Sequence, residues 1–201
     1  MVQKRSRTAV RQKQIIDAAG RLIIKFGSEH VTVRRIAHEI GISESAIYKH
    51  FKSKKDILSL LIEDIEDNLL SLDELNPAVG LGTLETLENT FTRHLEHIVA
   101  RKGISFQIIA EIVSLGDKKL NKKVYEVIQK YKTRLAAILE QGIKAGLVRP
   151  EIDRDAMSTL FFCLAQGLVN IWTLSHYSFD LKQKYASLWS VFREAIIKHQ
   201  S

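Results

Sequence analysis

The sequence predicts an all-α fold of about nine helices, and three observations carry that prediction. Only 2 prolines and 10 glycines occur in 201 residues, too few for the many turns of an all-β architecture. Apolar residues recur at helical spacing through most of the chain. Thr, Ser or Asp stands where several of these stretches begin, and Gly or Pro where several end. Hydrophobic residues at 45% and charged residues at 26% are those of an ordinary soluble globular protein. No apolar run approaches the roughly 20 residues that span a bilayer. The longest, "STLFFCLAQGLVNIWTL", is interrupted by Gln166, Gly167 and Asn170. The basic N-terminus has no apolar segment behind it and does not read as a secretory signal. The single cysteine, Cys163, has no internal partner, and a reducing cytoplasm is the expected compartment.

The net charge of +7 is unevenly placed. Residues 1–55 carry 13 Lys and Arg against 4 Asp and Glu, whereas residues 56–201 carry 17 against 19. A basic head on a nearly neutral body points to a polyanionic partner at one end.

The first helix is predicted from "QKQIIDAAGRLIIKFG", whose buried stripe is Ile15, Ala18, Ala19, Leu22, Ile23 and Phe26, with Gly27 as its stop. Thr32 is placed to cap a second helix with Val33, Ile36, Ala37 and Ile40 inside, and Gly41 breaks it. Ser43 caps a third, with Ala46, Ile47 and Phe51 facing inward. Two helices joined by a short turn and packed on a longer one form a helix-turn-helix unit. On the free face of the third helix stand Glu44, Ser45, Tyr48 and Lys49, with His50 near its end. Short and planar side chains let a helix enter the major groove of DNA. Tyr48, His50, Lys54 and Thr32 are donors of the kind that hold phosphates and set register.

The stretch "TVRRIAHEIGISESAIYKHFKSKKDILSLLIED" resembles the DNA-binding domain of the TetR (tetracycline-repressor) family of bacterial transcription regulators. The resemblance rests on Thr32, Ile36-Ala37, Gly41-Ile42-Ser43, Ile47-Tyr48, His50-Phe51 and Lys54 followed by "DIL", and covers roughly residues 8–65. It implies a helix-turn-helix DNA-binding domain over 8–55, a connecting fourth helix over about 54–75, and a helical ligand-binding and dimerisation domain over 76–201. It further implies that Ser43, Ser45, Ala46, Tyr48, Lys49, His50 and Lys54 lie on DNA, with Tyr48, His50 and Lys54 on phosphates. Thr32 would tie the second helix to the backbone. Arg34 matches a position from which the family can reach a base, and Arg5 and Arg7 would form a flexible arm. Glu44 is the uncomfortable residue. It either accepts from a cytosine amino group or stabilises the positive helix N-terminus, and the second role is favoured.

Downstream of Lys55 the chain reads as helices throughout. "KKDILSLLIEDIEDNLLSLDEL" has apolar residues at 57, 58, 61, 62, 65 and 69; "NPAVGLG" is a break. "TLETLENTFTRHLEHIVAR", "ISFQIIAEIVSL" and "LNKKVYEVIQKYKTRLAAILEQGIKAG" give three more helices. Asp153 can cap a long apolar helix to about His176, and "DLKQKYASLWSVFREAIIKHQ" closes the chain. The segment "GIKAGLVRPEIDRDAMSTLFFCLAQGLV" is similar to the family's junction between its seventh and eighth helices. The resemblance implies that the last two helices build a homodimer interface, here with Leu164, Gly167, Leu168, Trp189 and Phe192. It also implies a cavity for a small apolar or amphipathic ligand in the body. Candidate lining residues are Phe106, Tyr125, Tyr131, Phe162, Gln166 and Asn170; the two amides, four apart, meet a ligand or each other.

Other chemistry finds little support. His94 and His97 share a helical face but lack a visible third ligand, so no metal site is expected. Cys163 reads either as a redox sensor or, from its apolar neighbours, as an inert buried thiol. "GDKKLNKK" at 116–123 reads as a solvated loop and helix start. With no Gly-rich phosphate loop and no nucleophile–base arrangement, neither an enzyme nor a cofactor is expected. The expectation is a cytoplasmic, dimeric repressor on a palindromic double-stranded operator, with no membrane partner. A ligand in the body would release it by altering the spacing of the two heads through the fourth helix. The alternative is a ligand-independent architectural or nucleoid-associated DNA-binding protein.

Overall fold

Side-chain caps open most of the helices whose starts the sequence marks. In this computed structural model, residues 2–27, 31–70, 89, 92–93 and 96–197 are described, with only the backbone described at 2–7, 9, 68 and 70. The helices are α1 (Val2–Phe26), α2 (Val33–Glu39), α3 (Glu44–Tyr48) and α4 (Lys54–Leu70), a helical segment α5 at 96–100, then α6 (Ile104–Ser114), α7 (Lys118–Lys144), α8 (Arg154–Leu174) and α9 (Leu181–Ile196). The all-α expectation of about nine helices therefore holds among the described residues, where the only strand-like pairing is a single bridge, Val148 to Ile197. The break at 76–82, most of the helix predicted over 83–101, and His94 lie outside the described residues.

The chain forms two compact units: residues 1–67 with 107–127, and residues 68–106 with 128–201. In the first, α1 buries Ile15, Ala18, Ala19, Leu22 and Ile23 as its periodicity predicts. Two expectations for α1 fail. It begins at Val2, so Arg5 and Arg7 sit on helical backbone and not in a flexible arm. Its stripe ends at Ile23, because Phe26 in the last turn is 43% exposed. Ile36, Ala37, Ile47 and Phe51 close the core between α2 and α3. Ile57, Leu58, Leu61, Ile62, Ile65 and Leu69 of α4 are all buried, as the spacing predicts.

The basic 116–123 segment is more than a solvated loop. Asp117 caps α7 by accepting from the Lys119 and Leu120 N–H groups at 3.0 and 3.1 Å. Its other oxygen lies 2.6 Å from Lys55 Nζ on α4. Lys123 donates to Ser59 Oγ at 2.5 Å and lies 3.6 Å from Glu63, again on α4. The Lys55 bond, with the two backbone donors, holds the Asp117 carboxyl below its ordinary value. The associated stabilisation is complete above the ordinary carboxylate range and disappears as pH falls through the lowered value.

In the second unit α8 packs on α9 through edge-on aromatics: Phe161 meets Tyr185 at 6.3 Å and Phe192 at 5.3 Å between ring centres. Asp153 and Asp180 cap the two helices. Trp172 donates from Nε1 to the Phe179 carbonyl at 3.0 Å, so its buried indole is satisfied. The Arg149 N–H donates to the Ile196 carbonyl at 2.9 Å, tying the segment after α7 to the end of α9. By length and composition α8 is apolar enough to cross a membrane, contrary to the sequence expectation. It is the one such helix among the described residues, and a third of its apolar window is buried within the chain.

Two glycines in left-handed backbone separate conformational from steric constraint. Gly41 (φ 66°) has open space where a Cβ would go, whereas a Cβ at Gly103 (φ 64°) would stand 2.6 Å from Val169 Cγ1. Gly41→Ala should cost about 1–2 kcal/mol through the backbone alone. Gly103→Ala should cost more, by about 1–3 kcal/mol of overpacking. Urea denaturation of the two variants measures the difference, and equal losses would remove the steric account.

Candidate nucleic-acid interface

The head is assembled by side-chain caps. Thr32, in extended backbone, accepts the Arg35 N–H on Oγ1 at 3.2 Å and so orients the first turn of α2. Ser43 does the same for α3, accepting the Ala46 N–H at 3.3 Å. Its hydroxyl also lies 2.9 Å from that of Ser45, so two of the expected DNA-facing hydroxyls already share a hydrogen bond. Ile47 pins the five-residue α3 into the core, leaving Glu44, Ser45 and Tyr48 on its exposed side. Lys49 is exposed, while Ala46 and His50 are half-buried. Glu44 falls in the first turn of α3, where a carboxylate meets the unpaired N–H groups.

A further cap sets the position of Lys54, and the sequence reading missed it. Ser53 Oγ accepts the Asp56 N–H at 3.3 Å, while Asp56 Oδ2 accepts the N–H groups of Ser53 at 3.1 Å and Lys52 at 2.8 Å. This is a capping box, legible as Ser-Lys-Lys-Asp, and it holds Lys54 at the first position of α4.

Thr32 and Arg34 do not stand alone at the start of α2. They line a concavity of about 610 Å³ with Arg21, Leu22, Lys25 and Phe26 of α1 and Arg35, His38 and Glu39 of α2. The Lys25 ammonium and the Arg35 guanidinium lie 5.1 and 5.3 Å from the centre of the Phe26 ring. Sequence reading missed Lys25 and Arg35 because it assigned Phe26 to the core; the exposed ring is what gathers them.

The second unit brings together most of the expected ligand residues. Phe162 stands 5.9 Å from both Phe106 and Tyr131 between ring centres. Gln166 Nε2 donates to the Phe106 carbonyl at 3.1 Å and to Asn170 Oδ1 at 2.9 Å, so the two amides do meet each other. Gln166 Oε1 is buried and finds no hydrogen-bond partner among the described residues. Burial pushes the hydroxyls of Tyr131 and Tyr185 up, which keeps both neutral. Tyr125 does not join the cluster: it is 62% exposed and belongs to the first unit.

Three further expectations change. Leu168 and Phe192, assigned to a dimer face, are only 6% and 3% exposed because they pack into the chain's own core. Leu164, Gly167 and Trp189 are half-buried. Cys163 is exposed, not buried. Its apolar neighbours Leu160, Ile171 and Leu174 are exposed with it at helical spacing, so they form an outer stripe of α8, with Val191 exposed on α9. Among the described residues no group of three His, Cys, Asp or Glu could hold a metal ion.

A short reading helix capped and pinned within a basic head defines a helix-turn-helix DNA-binding protein. Comparison with known proteins agrees. Residues 15–61 match the model described as bacterial regulatory proteins, tetR family, and residues 51–195 match that of the YsiA-like protein, C-terminal region. The chain belongs to the TetR family, and it is a DNA-binding transcriptional regulator rather than an enzyme. Relatives include the fatty acid metabolism regulator protein of Bacillus subtilis, 25% identical over 168 residues covering 84% of this chain and 86% of that protein. Another is the nucleoid occlusion factor SlmA of Shewanella pealeana, 23% identical over 189 residues covering 94% of this chain and 95% of that protein. Similar solved structures include FadR from Bacillus subtilis in complex with stearoyl-CoA, with TM-score 0.74, 23% identity and coverage of 90% and 96%. A regulator from Saccharomonospora viridis in complex with choline has TM-score 0.77, 20% identity and coverage of 95% and 100%.

Arg34 and Lys54 should separate under mutation. Arg34→Ala should relax preference at one base pair per half-site by about 1–3 kcal/mol, with Arg34→Lys recovering only part of it, because a guanidinium forks onto guanine and an ammonium does not. Lys54→Ala should weaken all sequences alike and flatten the salt dependence by about one unit of slope. Binding to a library with every position varied checks both assignments. An even loss for Arg34→Ala moves that residue to the backbone.

Proposed function

We propose that this protein is a homodimeric repressor that leaves a palindromic operator when a small apolar or amphipathic ligand enters the second unit. Tyr48, His50, Lys54 and Thr32 hold phosphates, while Arg34 and the exposed side of α3 face the groove. The observation that carries the ligand reading is Gln166 Oε1, a buried acceptor without a partner beside the Phe106–Phe162–Tyr131 cluster. Buried acceptors are normally satisfied, and a ligand donor among neutral aromatic walls supplies what Gln166 lacks. The Bacillus subtilis relative, described as a fatty acid metabolism regulator and solved with stearoyl-CoA, supports a long-chain acyl-CoA as the first ligand to test. The ligand must bind the DNA-free form better, or the equilibrium does not shift. Such a regulator works in the cytoplasm, at the nucleoid when bound to DNA.

The outer stripe of α8 supports the dimer. Leu160, Gly167, Ile171 and Leu174, with Val191 of α9, form the apolar surface offered to a second copy in place of Leu168 and Phe192. Ile171→Glu or Leu174→Glu should give folded monomers with operator affinity collapsed. Leu168→Glu should instead unfold the chain, because that side chain is buried. Sedimentation together with circular dichroism distinguishes the two, and intact dimers in both exposed-residue variants would remove this interface.

Stearoyl-CoA should displace the protein from an operator selected from a random library. Gln166→Leu removes the orphaned acceptor but also the two hydrogen bonds donated to Phe106 and Asn170, so stability should change little while the response to ligand weakens. Loss of stability with an unchanged response would contradict the assignment. The second reading, a ligand-independent nucleoid factor, draws on the relatives described as SlmA. Genome-wide mapping of bound DNA decides between them: a few promoter-proximal sites fit the repressor, and many dispersed sites without any ligand response fit the nucleoid factor.

A further inference from the structure

The first two turns of α7 are charged against the helix's own polarity. Lys118, Lys119, Lys122 and Lys123 stand there, and the first turn holds no acidic side chain. A helix N-terminus is its positive end, so cations there lower stability. Two of the four are compensated: Lys123 lies 3.6 Å from Glu63, and Lys122 lies 4.0 Å from Glu126 one turn on. Lys118 and Lys119 are exposed, and neither ammonium makes an ion pair or hydrogen bond among the described residues. Two contacts, both inside the first compact unit, fix where the turn between α6 and α7 sits. Asp117 Oδ2 lies 2.6 Å from Lys55 Nζ, so the turn adjoins the start of α4, where Lys54 is the first residue. One turn before the end of α6, Glu111 has Oε1 3.9 Å from where a Cβ at Gly27, just after α1, would stand. The tip of the α6–α7 pair is therefore seated against the end of α1 and the start of α4.

We propose that Lys118 and Lys119 are additional phosphate contacts, which hold the DNA backbone flanking the half-site bound by the head. The inference rests on the reading that Lys54 meets a phosphate, because the Lys55–Asp117 bond sets the start of α7 beside that residue. A duplex carries one phosphate for about every 1.7 Å of its axis, so cations beside one phosphate anchor face the next stretch of backbone. Asp117 is the positioning residue. Its carboxylate is taken up by Lys55 and by the Lys119 and Leu120 N–H groups, which leaves the two ammonium groups their full charge. Contacts of this kind carry no sequence information. They lengthen the footprint, so affinity depends on base pairs outside the segment whose sequence matters. Cations that weaken α7 as a helix thus strengthen the complex.

The test uses the full chain and a duplex that the unaltered protein selects from a randomised library, bound at several salt concentrations and then with its flanks trimmed stepwise. Lys118→Ala and Lys119→Ala should each flatten the slope of log K against log[salt] by about 0.9 per bound head. The double variant should weaken all base variants evenly and lose the sensitivity to trimming that the unaltered protein shows. Its melting temperature should hold or rise, because cations leave the positive end of α7, whereas a merely structural role would lower it. Arginine at both positions should restore slope and flank dependence. Lys184→Ala, which removes an exposed cation of the second unit, should leave the slope unchanged. The proposal is overturned if the double alanine variant keeps the full slope and flank sensitivity. The two lysines, with the exposed Val113 and Leu115, then form a surface for an acidic protein partner instead. It is equally overturned if Lys184→Ala flattens the slope as much, since the effect is then one of net charge. Lys54→Ala serves as the internal control. If that variant also leaves the slope unchanged, the phosphate assignments of the head fail as a whole, an outcome distinct from failure of Lys118 and Lys119 alone.

Discussion

The helix-turn-helix head of this protein hangs from two hydroxyl caps and the small core between them. A five-residue helix cannot persist on its own, since nucleation costs more than so few hydrogen bonds return. α3 exists because Ser43 satisfies its first turn and Ile47 and Phe51 are buried beneath it. α2 is held in the same way by Thr32 and by Ile36 and Ala37. The left-handed turn at Gly41 joins them without a steric penalty. With axis and rotation set, Tyr48 and Arg34 have no choice but to be exposed. The capping box at Ser53 and Asp56 adds Lys54 to the assembly. The exposed side chains of the head are thus oriented by caps and by a buried core beneath them.

Charge then distinguishes the parts. Residues 1–55 concentrate the cations, and the concavity beside Phe26 shows that they are grouped, not merely numerous. On α4 the charges have another use. Lys55 and Glu63 tie it to the first turns of α7, inside the same compact unit. The helix that begins at Lys54 is therefore anchored by ion pairs at Lys55 and Glu63 and by an apolar face. In the second unit the chemistry is apolar, and α8 has two faces. Phe161, Leu168 and Trp172 go to the chain's own core, while Leu160, Ile171 and Leu174 face outward. This division reconciles a helix apolar enough to cross a membrane by composition with a family of DNA-binding regulators, because the outer stripe suits a second copy of the chain.

The sequence by itself determined the all-α class, the helix-turn-helix, the caps at Thr32, Ser43 and Asp153, and the buried faces of α1 and α4. Each of these is chain-local: a cap bonds three residues on, and a helical stripe repeats every three or four positions. The capping box at Ser53 and the cap at Asp117 were legible by the same rule and were missed. Only the tertiary structure decided which apolar residues lie inside. Phe26 continues the stripe of α1 by spacing yet stays exposed, and Tyr125 lies on α7 with Tyr131 but does not share its burial. Leu168 and Ile171 are equally apolar neighbours on one helix, and the first is core while the second is surface. Cys163 follows Ile171, not Leu168. Burial depends on partners tens of residues away in the chain, such as Tyr185 and Phe192 against Phe161, and a periodic pattern names a face without saying what will cover it.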